Sequence, residues 1–584
     1  MSFLAWPLII AALCGMYPYA RLLLRGDATP LLTALVTLAL SFGALSLLAM
    51  WIGLLGLAID WRLITTVYAA IVVLGWLILS RARRPVAAHS KGDSALLPRT
   101  WRAMGWTITI VTGIVAALIV FNAIYWPLGI DDALAIYGFY GKQIALSGHL
   151  PTLTSGALYE AYPMAVPLLY AYTHQAAGWI DEHLAALIPA LLSVGVIGVA
   201  YLVGRELYDK ATGLIAALLT ALTPTIAFWS SASYVDLAAG FFYGLAILFA
   251  LRHYRRRTMA DALLCGIMAG LSAWTKNSGL LIVGTLGLWV IYCAWRARFE
   301  LPRPLGRRDV LLIAAGFLAV CAPWYIRNWL LAGVIVPPTG WTFAAQRTTA
   351  NLLPYLFDLQ YWPTGWLFTV GLFLTLWQAW RTRGRGLASA ALLIGYLSFF
   401  AVWWTLFSYE DRFLLLLTPL IAVMGARAVI AIGERLKLPR PVLLRQPPRL
   451  TAALIGLIVL CALPSASDAV QFKFDILRHP LMSEAEKQRL RLGGRYDLAL
   501  YLQSLPAGSR TLTDDLLLPY LALPAQVITG NPPNSAVDFL RQYTYLALKP
   551  GDVVPAWAST EQPIFEAGGY RLYSLSSLTS ALQR

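Results

Sequence analysis

Apolar runs of about 18 or more residues recur along the first 466 positions of the chain. A helical run of that length crosses roughly 30 Å of hydrocarbon. Of the 584 residues, 59% are hydrophobic and only 13% are charged, a balance too apolar for a soluble protein of this size. Membrane barrels are excluded because their strands alternate and are about ten residues long. The sequence therefore predicts an all-α polytopic membrane protein.

The apolar runs predict fourteen membrane-spanning helices, of which the second is long enough to tilt or bend. The predicted limits are 3–20, 31–59, 63–80, 104–127, 184–204, 211–229, 237–251, 260–275, 279–295, 309–325, 363–380, 387–407, 413–431 and 450–466.

Basic residues concentrate in every second loop between these spans. The loops around 81–102, 252–257, 296–308 and 435–449 carry clusters of Arg and Lys, whereas the alternate loops carry most of the acids. The positive-inside rule then assigns the basic loops to the cytoplasm and the acidic loops to the exterior. The positions of the basic residues in cytoplasmic loops explain the net charge of +16, so no nucleic-acid partner is expected. The N-terminus and the chain beyond residue 466 are predicted to be external.

The chain from 467 to 584 is less apolar and predicts a small α/β domain resting on the external face. Residues 509–513 and 525–529 predict strands, and 543–548 alternates in part. Residues 564–573 predict a hairpin that turns on Gly568 and Gly569. A helix is predicted near 496–504.

A long external loop, residues 128–183, begins with the adjacent acids Asp131 and Asp132. A charge at depth in the bilayer costs roughly 2.5 kcal/mol or more, so such a pair usually has a partner or a task. The alternative interpretation is a simple helix cap facing water. A helix over 133–147 should end at Gly148. If residues 164–177 spanned the membrane, every later loop would change sides and the basic clusters would be external. The segment therefore predicts an amphipathic helix in the interface.

Cysteine and histidine spacing gives little support for a metal site. The five cysteines lie in or beside apolar spans without a CxxC pair, so they are predicted to be small core residues. His149, His174 and His183 share the long loop with several acids, but no HxxxH or HExxH spacing occurs. We therefore expect these histidines to be solvent-exposed.

Several short motifs follow Asp131-Asp132 in a fixed order, each on a consistent predicted side of the membrane. They are Tyr-Pro-Met-Ala-Val-Pro-Leu-Leu at 162–169, Gly-Arg-Glu-Leu-Tyr at 204–208, Ser-Ala-Ser-Tyr-Val-Asp at 231–236, Thr-Lys-Asn-Ser-Gly-Leu at 275–280, Pro-Trp-Tyr-Ile-Arg-Asn-Trp at 323–329 and Glu-Asp-Arg-Phe at 410–413. This series, from about 104 to 430, resembles the GT-C class of integral-membrane glycosyltransferases. The likeness is to the branch of the protein O-mannosyltransferases and lipid A aminoarabinose transferases.

The resemblance implies transfer of a hexosyl or pentosyl group from a polyprenyl-phosphate donor to a lipid, glycan or protein acceptor. The site would lie on the extracytoplasmic side of a bacterial inner or plasma membrane, in contact with membrane lipids. The implied reaction is a single inverting displacement, for which one carboxylate base suffices. Asp131 is the predicted base and Asp132 a supporting acid. The resemblance fixes no cofactor and leaves a divalent metal open.

Seven further residues are predicted to bind substrate. The cations Lys276, Arg327 and Arg412 fall at external ends of spans, where they would hold the donor phosphate; the alternative is a snorkelling cation at the interface. Asp236 would orient a sugar hydroxyl or the acceptor. Lys142, Glu160 and Tyr162 complete the set, Tyr162 standing where family members often have His or Lys.

The predicted organisation has three parts: three extra N-terminal helices with a basic loop (1–103), a GT-C-like catalytic region (104–466) and the α/β domain (467–584). A secondary transporter is the main alternative, but it should show polar residues deep in the spans or paired broken helices from an internal repeat. A lipid-linked glycan ligase or polymerase is a further alternative, whose large loop usually falls later in the chain.

Overall fold

The computed structural model describes residues 2–25, 28–82, 99–129, 131–153, 159–299, 305–336, 364–406, 410–435, 448–533 and 535–575. Parts of the predicted basic loops, at 83–98, 300–304 and 436–447, lie outside the described residues.

Most of the described chain is helical. The helices up to the long loop are α1 Ser2–Cys14, α2 Tyr17–Leu23, α3 Pro30–Leu54, α4 Trp61–Arg81 and α5 Arg99–Tyr125. The loop carries a π-helix, Ala133–Gly138, and the helices α6 Phe139–Ser147 and α7 Ala165–Ala177. The helices that follow are α8 Glu182–Leu207, α9 Lys210–Ala221, α10 Pro224–Ser231, α11 Asp236–Arg256, α12 Met259–Thr275, α13 Ile282–Arg296, α14 Arg307–Ala332, α15 Thr364–Arg381, α16 Leu387–Leu406, α17 Thr418–Arg435 and α18 Pro448–Asp468.

Every predicted span coincides with a helix or a helix pair of the structure. Among the described residues, ten helices are long and apolar enough to cross a membrane, or eleven if the bent pair α9–α10 counts as one span. The predicted spans at 260–275, 363–380 and 450–466 are the helices α12, α15 and α18, and α12 is short for a full crossing at 17 residues. The chain is an integral membrane protein with a helical bundle.

The predicted continuous span at 211–229 is wrong. The helix breaks at Thr223, and α10 leaves α9 at an angle of 67°. Pro224 explains the break, because it lacks an N–H donor and disfavours a helical conformation at the residue before it. Thr223 is accordingly extended, with φ −90° and ψ 112°. The hydropathy of the run gave no sign of the turn.

The helix predicted at the interface forms as α7, but the prediction that it is amphipathic is wrong. Apart from Gln175 and Ala176, its side chains are buried. It packs among α3, α6 and α8, which cover the face that would otherwise meet lipid or water. The loop is therefore part of the protein core rather than a surface layer.

Helix α11 occupies the centre of the bundle, since all of its most apolar 18-residue stretch is buried. It packs against α8 and α12, and α12 packs tightly against α14. Small residues allow the last contact, because a Cβ on Gly266 would lie 2.1 Å from the Ile313 carbonyl oxygen and one on Gly316 would lie 2.9 Å from the Leu263 carbonyl oxygen. Small residues at such crossings let helix backbones approach closely.

The chain from 467 onwards contains helices and a five-stranded sheet, so the predicted small α/β region is confirmed. Its strands are β1 Arg510–Thr513, β2 Gln526–Thr529, β3 Tyr545–Leu548, β4 Pro563–Ala567 and β5 Tyr570–Ser574, in the order β2-β1-β3-β5-β4. The first three are parallel, and β5 runs antiparallel to both β3 and β4. Gly568 and Gly569 have φ 53° and 81°, which a turn residue without a Cβ adopts readily. The helices of this region are α19 Lys473–Arg478, α20 Glu484–Leu492, α21 Gly494–Gln503, α22 Leu518–Ala522 and α23 Ala536–Leu540.

Gly266→Ala should destabilise the protein by about 1–3 kcal/mol, because the new methyl group would collide with the backbone of α14. Gly284→Ala is the matched control, since a Cβ there meets nothing within 4 Å. The control should gain up to about 1 kcal/mol from its better helix propensity. Thermal unfolding in mild detergent measures both. Equal midpoints for the two variants would contradict the close α12–α14 crossing.

Candidate active site

The acids of the long loop begin its helical stretch, but they do not cap it. Asp131 is exposed and makes no hydrogen bond or ion pair with any described residue. Asp132 occupies the N-cap position of the π-helix without a capping hydrogen bond from its side chain. Its backbone N–H donates to the Tyr234 hydroxyl at 3.3 Å. The helix-cap interpretation therefore does not account for either carboxylate.

Arg412 joins two acids that are far apart in the sequence. Its Nη2 donates to Asp132 Oδ2 at 3.1 Å, and its Nε lies 3.8 Å from Asp236 Oδ2. The guanidinium carbon lies 4.6 Å from the Tyr234 ring centroid and 5.2 Å from that of Trp229. Trp229 reaches this position because α10 turns away from α9 at the proline break. The aromatic rings add cation–π stabilisation to the ion pairs.

Lys276 completes the network from the opposite side of Asp236. Its Nζ lies 2.5 Å from Asp236 Oδ1, and the two side chains are only 9% and 2% exposed. Lys276 adopts an extended conformation between α12 and the 3₁₀-helix Asn277–Leu281. Gly279 permits this sharp junction, because a Cβ there would lie 2.2 Å from the Ser272 carbonyl oxygen. Burial lowers the pKa of Lys276, and the negative charge of Asp236 opposes that shift.

These four charges, Asp132, Asp236, Lys276 and Arg412, are called the ionic network below. It contains two acids and two bases, so its formal charge is balanced. The structure thus brings together four of the predicted site residues. It also means that two of the predicted phosphate-binding cations already have carboxylate partners.

Arg327, the third predicted cation, lies apart from the ionic network. Its Nη2 donates to the Pro151 carbonyl at 2.6 Å and its Nη1 to the Glu160 carbonyl at 3.3 Å. The guanidinium lies 4.3 Å from the Trp324 ring centroid. It makes no ion pair with a described carboxylate within 4.0 Å. Its Nη1 also donates to the Asn328 side-chain oxygen at 3.1 Å. Arg327 therefore links Pro151 to Glu160, and the Glu160 carboxylate acts on its charge only from beyond ion-pair distance.

Two tyrosines of the long loop are near enough to the ionic network for its acids to shift their pKa values. Burial raises the pKa of Tyr137 well above its ordinary value, and the charges of Asp132 and Asp236 raise it further. Burial likewise raises the pKa of Tyr159, with the charge of Asp132 adding to it. Tyr159 precedes Glu160, whose carbonyl accepts a hydrogen bond from Arg327. Tyr159 is therefore close in sequence to the Arg327 contact and close enough in space to Asp132 for that charge to affect its pKa.

The predicted residues Glu160 and Tyr162 lie among these tyrosines of the long loop. The rings of Tyr159 and Tyr162 are 5.5 Å apart. Burial raises the pKa of Tyr140, and the neighbouring Glu160 carboxylate adds to the shift. Sequence reasoning missed Tyr137, Tyr140 and Tyr159. Their placement depends on a π-helical turn and on a loop fold that no α-helical spacing predicts.

The Lys142 side chain contacts the α/β domain rather than the ionic network. Its Nζ donates to the Tyr520 carbonyl at 3.0 Å and lies 5.1 Å from the centre of the Tyr520 ring. Burial lowers the pKa of Lys142, whereas the nearby charge of Glu182 raises it. The structure therefore places Lys142 in the contact between the long loop and the α/β domain, away from the other predicted site residues.

The same contact holds the chain just before Asp131. Glu182 Oε2 accepts hydrogen bonds from the Leu128 N–H at 2.9 Å and from Gln488 at 3.2 Å. Arg491 donates to the Pro127 carbonyl and packs over Gly129, where a Cβ would lie 2.8 Å from the arginine Cδ. The backbone of 127–129 is thus fixed from both sides. Beside it, a groove of about 360 Å³ opens along Gly129, Phe228 and residues 467–473.

The expectation of solvent-exposed histidines is wrong for His174. It is buried in α7, and its Nδ1 accepts a hydrogen bond from the Asp181 N–H at 3.1 Å. His183 contacts the Ile124 carbonyl and Glu484, both at 2.9 Å, while His149 is exposed. Among the described residues, no group of three or more His, Cys, Asp or Glu could hold a metal ion.

Comparisons with known proteins agree with the motif order. Residues 161–327 match the family model of the dolichyl-phosphate-mannose-protein mannosyltransferases. ArnT from Cupriavidus metallidurans in the apo state superposes with a TM-score of 0.57 at 16% identity, covering 81% of this chain and 98% of that one. Its complex with undecaprenyl phosphate gives a TM-score of 0.56 at 15% identity, with the same coverage. The chain has the GT-C fold.

A second GT-C structure gives the same result over less of its length. The Archaeoglobus fulgidus oligosaccharyltransferase tethered to an acceptor peptide matches with a TM-score of 0.52 at 16% identity, covering 77% of this chain and 69% of that one. The comparison with curated proteins gives no match. The family-model segment contains Tyr162, Asp236, Lys276 and Arg327, whereas Asp131, Asp132 and Arg412 lie outside it.

Removing one side of the Asp236–Lys276 pair should destabilise the protein by about 3–5 kcal/mol, because a buried charge loses its partner. Asp236→Asn should cost more than Lys276→Met, since it leaves two cations facing each other. The double variant should cost less than the sum of the single variants. Thermal unfolding in detergent gives these values. Arg489→Met, which breaks an exposed pair with Asp497, should leave the midpoint nearly unchanged. Additive single costs would contradict the pairing.

His174 should make folding sensitive to acid. Burial, together with the positive charge of Lys142, lowers the pKa of His174 to about 3. In the unfolded chain, the pKa of this histidine lies near its ordinary value of about 6.5. Between about pH 3 and pH 6.5 the unfolded chain therefore binds more protons than the folded protein. The stability of the fold should therefore decrease as the pH is lowered from about 6.5 to about 3, by up to about 1.4 kcal/mol per pH unit.

His174→Gln should remove this part of the pH dependence, and the exposed His149→Gln should retain it. Unfolding midpoints between about pH 4 and pH 6 give the slopes. An unchanged slope in His174→Gln would show that the buried imidazole does not stay neutral.

Proposed function

We propose that the chain is a membrane glycosyltransferase that moves a sugar from a polyprenyl-phosphate donor to an acceptor hydroxyl. The observation that carries the proposal is the arrangement of one unpaired acid, Asp131, directly beside a charge-balanced ionic network in a GT-C fold. The solved ArnT complex holds undecaprenyl phosphate, which supports a lipid-phosphate donor here. The acidic loops, including this site, are assigned to the extracytoplasmic side by the distribution of basic residues.

Asp131 is the proposed general base. A base must be free to accept a proton, and Asp131 is exposed with no described partner, whereas Asp132 is held by Arg412. The acceptor oxygen attacks the anomeric carbon, the bond from that carbon to the phosphate oxygen breaks, and Asp131 takes the hydroxyl proton. The configuration at the sugar inverts, because only one displacement occurs.

Arg327 is the proposed main contact for the donor phosphate. It keeps its charge without a close carboxylate partner, and it reaches the segment that contains Tyr159. Lys276 and Arg412 are already neutralised by Asp236 and Asp132, so their role is to hold the site acids and shape the local field. A phosphate leaving group would still gain from the nearby guanidinium of Arg412.

The donor sugar would lie along the tyrosines of the long loop, between Arg327 and the ionic network. Tyr159 and Tyr162, which are half-buried with ring centroids 5.5 Å apart, would supply hydroxyl groups and ring faces there, whereas Tyr137 is buried. Asp236 is buried behind Lys276 and Arg412, so we assign it to positioning those cations rather than to direct contact with the sugar. Lys142 is assigned to the contact with Tyr520 instead of substrate binding.

Asp131→Asn should lower the transfer rate by about 10²–10⁴-fold, because the amide keeps the shape but cannot take the proton. Its unfolding midpoint and donor binding should stay close to wild type, since Asp131 has no described partner. Asp132→Asn should instead lower the unfolding midpoint, because it removes a partner of Arg412.

The assay begins with purified wild-type protein and a panel of polyprenyl-phosphate hexoses and pentoses, in which loss of donor identifies the sugar. Transfer by the variants is then compared at equal protein level, with donor binding measured separately. Near wild-type transfer by Asp131→Asn would remove its role as base. Failure of every donor to react with wild-type protein and any of the acceptor classes would contradict the proposed activity.

A further inference from the structure

The chain between α18 and α20 exposes an unusually apolar edge. We define residues 471–481 as the surface segment. Leu477 is 78% exposed and Leu481 is 94% exposed, and Phe472 and Phe474 are also exposed. Single exposed apolar residues are common on soluble surfaces, but four within ten residues form a patch that normally has an occupant.

The surface segment is tied to the ends of two membrane helices. Helix α18 ends at Asp468, shortly before the segment, and Leu460 and Leu463 in its last turns are exposed. The apolar edge therefore continues directly from a helix that lies in the membrane bundle.

The other attachment is the end of α5, which is itself long and apolar enough to cross the membrane. The Gln471 N–H donates to Asn122 Oδ1 at 2.8 Å, and the Trp126 ring nitrogen donates to the Gln471 carbonyl at 3.2 Å. Further along, the Tyr125 hydroxyl donates to the Pro480 carbonyl at 3.2 Å. Both ends of the segment are thus held at the level where α5 leaves the bundle.

Its side chains suit a lipid–water boundary. Phe474 and Leu477 stand beside the cations Lys473 and Arg478, the mixture that favours helices lying at a membrane surface. Phe472 has φ 48°, a left-handed conformation that residues with a Cβ seldom adopt. That turn redirects the chain after α18 and packs the Phe472 ring 5.2 Å from Trp126.

We propose that the surface segment inserts Phe474, Leu477 and Leu481 into the headgroup and acyl boundary of the bilayer. The exposed Arg478 would then face anionic lipid headgroups, whereas Lys473 donates to the carbonyl and hydroxyl oxygens of Ser467. The segment would hold the end of α5, and through it the chain leading to Asp131, at a fixed depth relative to the membrane surface. This inference does not depend on the sugar-transfer activity.

A spin label at Leu477→Cys tests the proposal in the full chain, reconstituted in vesicles of phosphatidylethanolamine and phosphatidylglycerol. Cys14→Ser and Cys461→Ala remove the cysteines that are exposed or half-buried. The measurement is the ratio of label accessibility to oxygen, which concentrates in the bilayer, over accessibility to a water-soluble nickel chelate. Val553→Cys, at a position 87% exposed in the α/β domain, is the matched control.

The ratio at residue 477 should be several-fold higher than at residue 553. Leu481→Cys provides a second position if the first variant does not fold, and the same excess is expected there. Equal ratios at 477 and 553 would place the segment in water and overturn the proposal. Low accessibility to both reagents at 477 would mean that a protein surface covers the segment, and would also overturn it.

Discussion

Asp236 is the buried charge on which the arrangement of the site depends. It begins the central helix α11, and its carboxylate is only 2% exposed. An ion in such a place is costly unless partners surround it with good geometry. Lys276 is the close, hydrogen-bonded partner at 2.5 Å, and Arg412 adds a second positive charge with its Nε at 3.8 Å and reaches on to Asp132. The long loop, α11, the turn after α12 and the chain before α17 must therefore converge at one point. A fold that separated any of them would leave a charge uncompensated.

This convergence divides the predicted site into groups with different tasks. Charges within the ionic network neutralise one another, so their first role is to hold four chain segments together. Asp131 and Arg327 remain without close ionic partners among the described residues. An unpaired acid can accept a proton. A cation held by backbone carbonyls, the Asn328 side chain and an aromatic ring, with no carboxylate within ion-pair distance, can receive an anion. Chemistry is therefore better assigned to these two residues than to the more buried ones.

Local patterns in the sequence predicted much of the fold, and distant contacts did not follow from them. Hydropathy placed each of the fourteen predicted spans on a helix or a helix pair, although among the described residues only ten helices, or eleven with the bent pair, are long and apolar enough to cross a membrane. Turn chemistry located the Gly568-Gly569 hairpin, because it depends on neighbouring residues. The break before Pro224 was hidden by uninterrupted apolar sequence. Burial of α7 depends on helices that precede and follow it. Family-like motifs identified Asp132, Asp236, Lys276 and Arg412, but only the structure pairs them. Tyr137 lay beyond reach, since a π-helix has a spacing that α-helical periodicity does not contain.

The α/β domain bears on the site through the few residues that precede Asp131. Glu182 and Arg491 hold the backbone of 127–129, and Trp126 is bound to the surface segment through Gln471. A carboxylate on a free loop would sample many positions, whereas proton transfer requires the base within about 3 Å of the hydroxyl. Fixing the chain two residues before Asp131 leaves that side chain exposed while restricting where it can lie. The domain and the bundle thus supply different parts of one requirement: the bundle neutralises Asp132, and the domain positions the chain that carries Asp131.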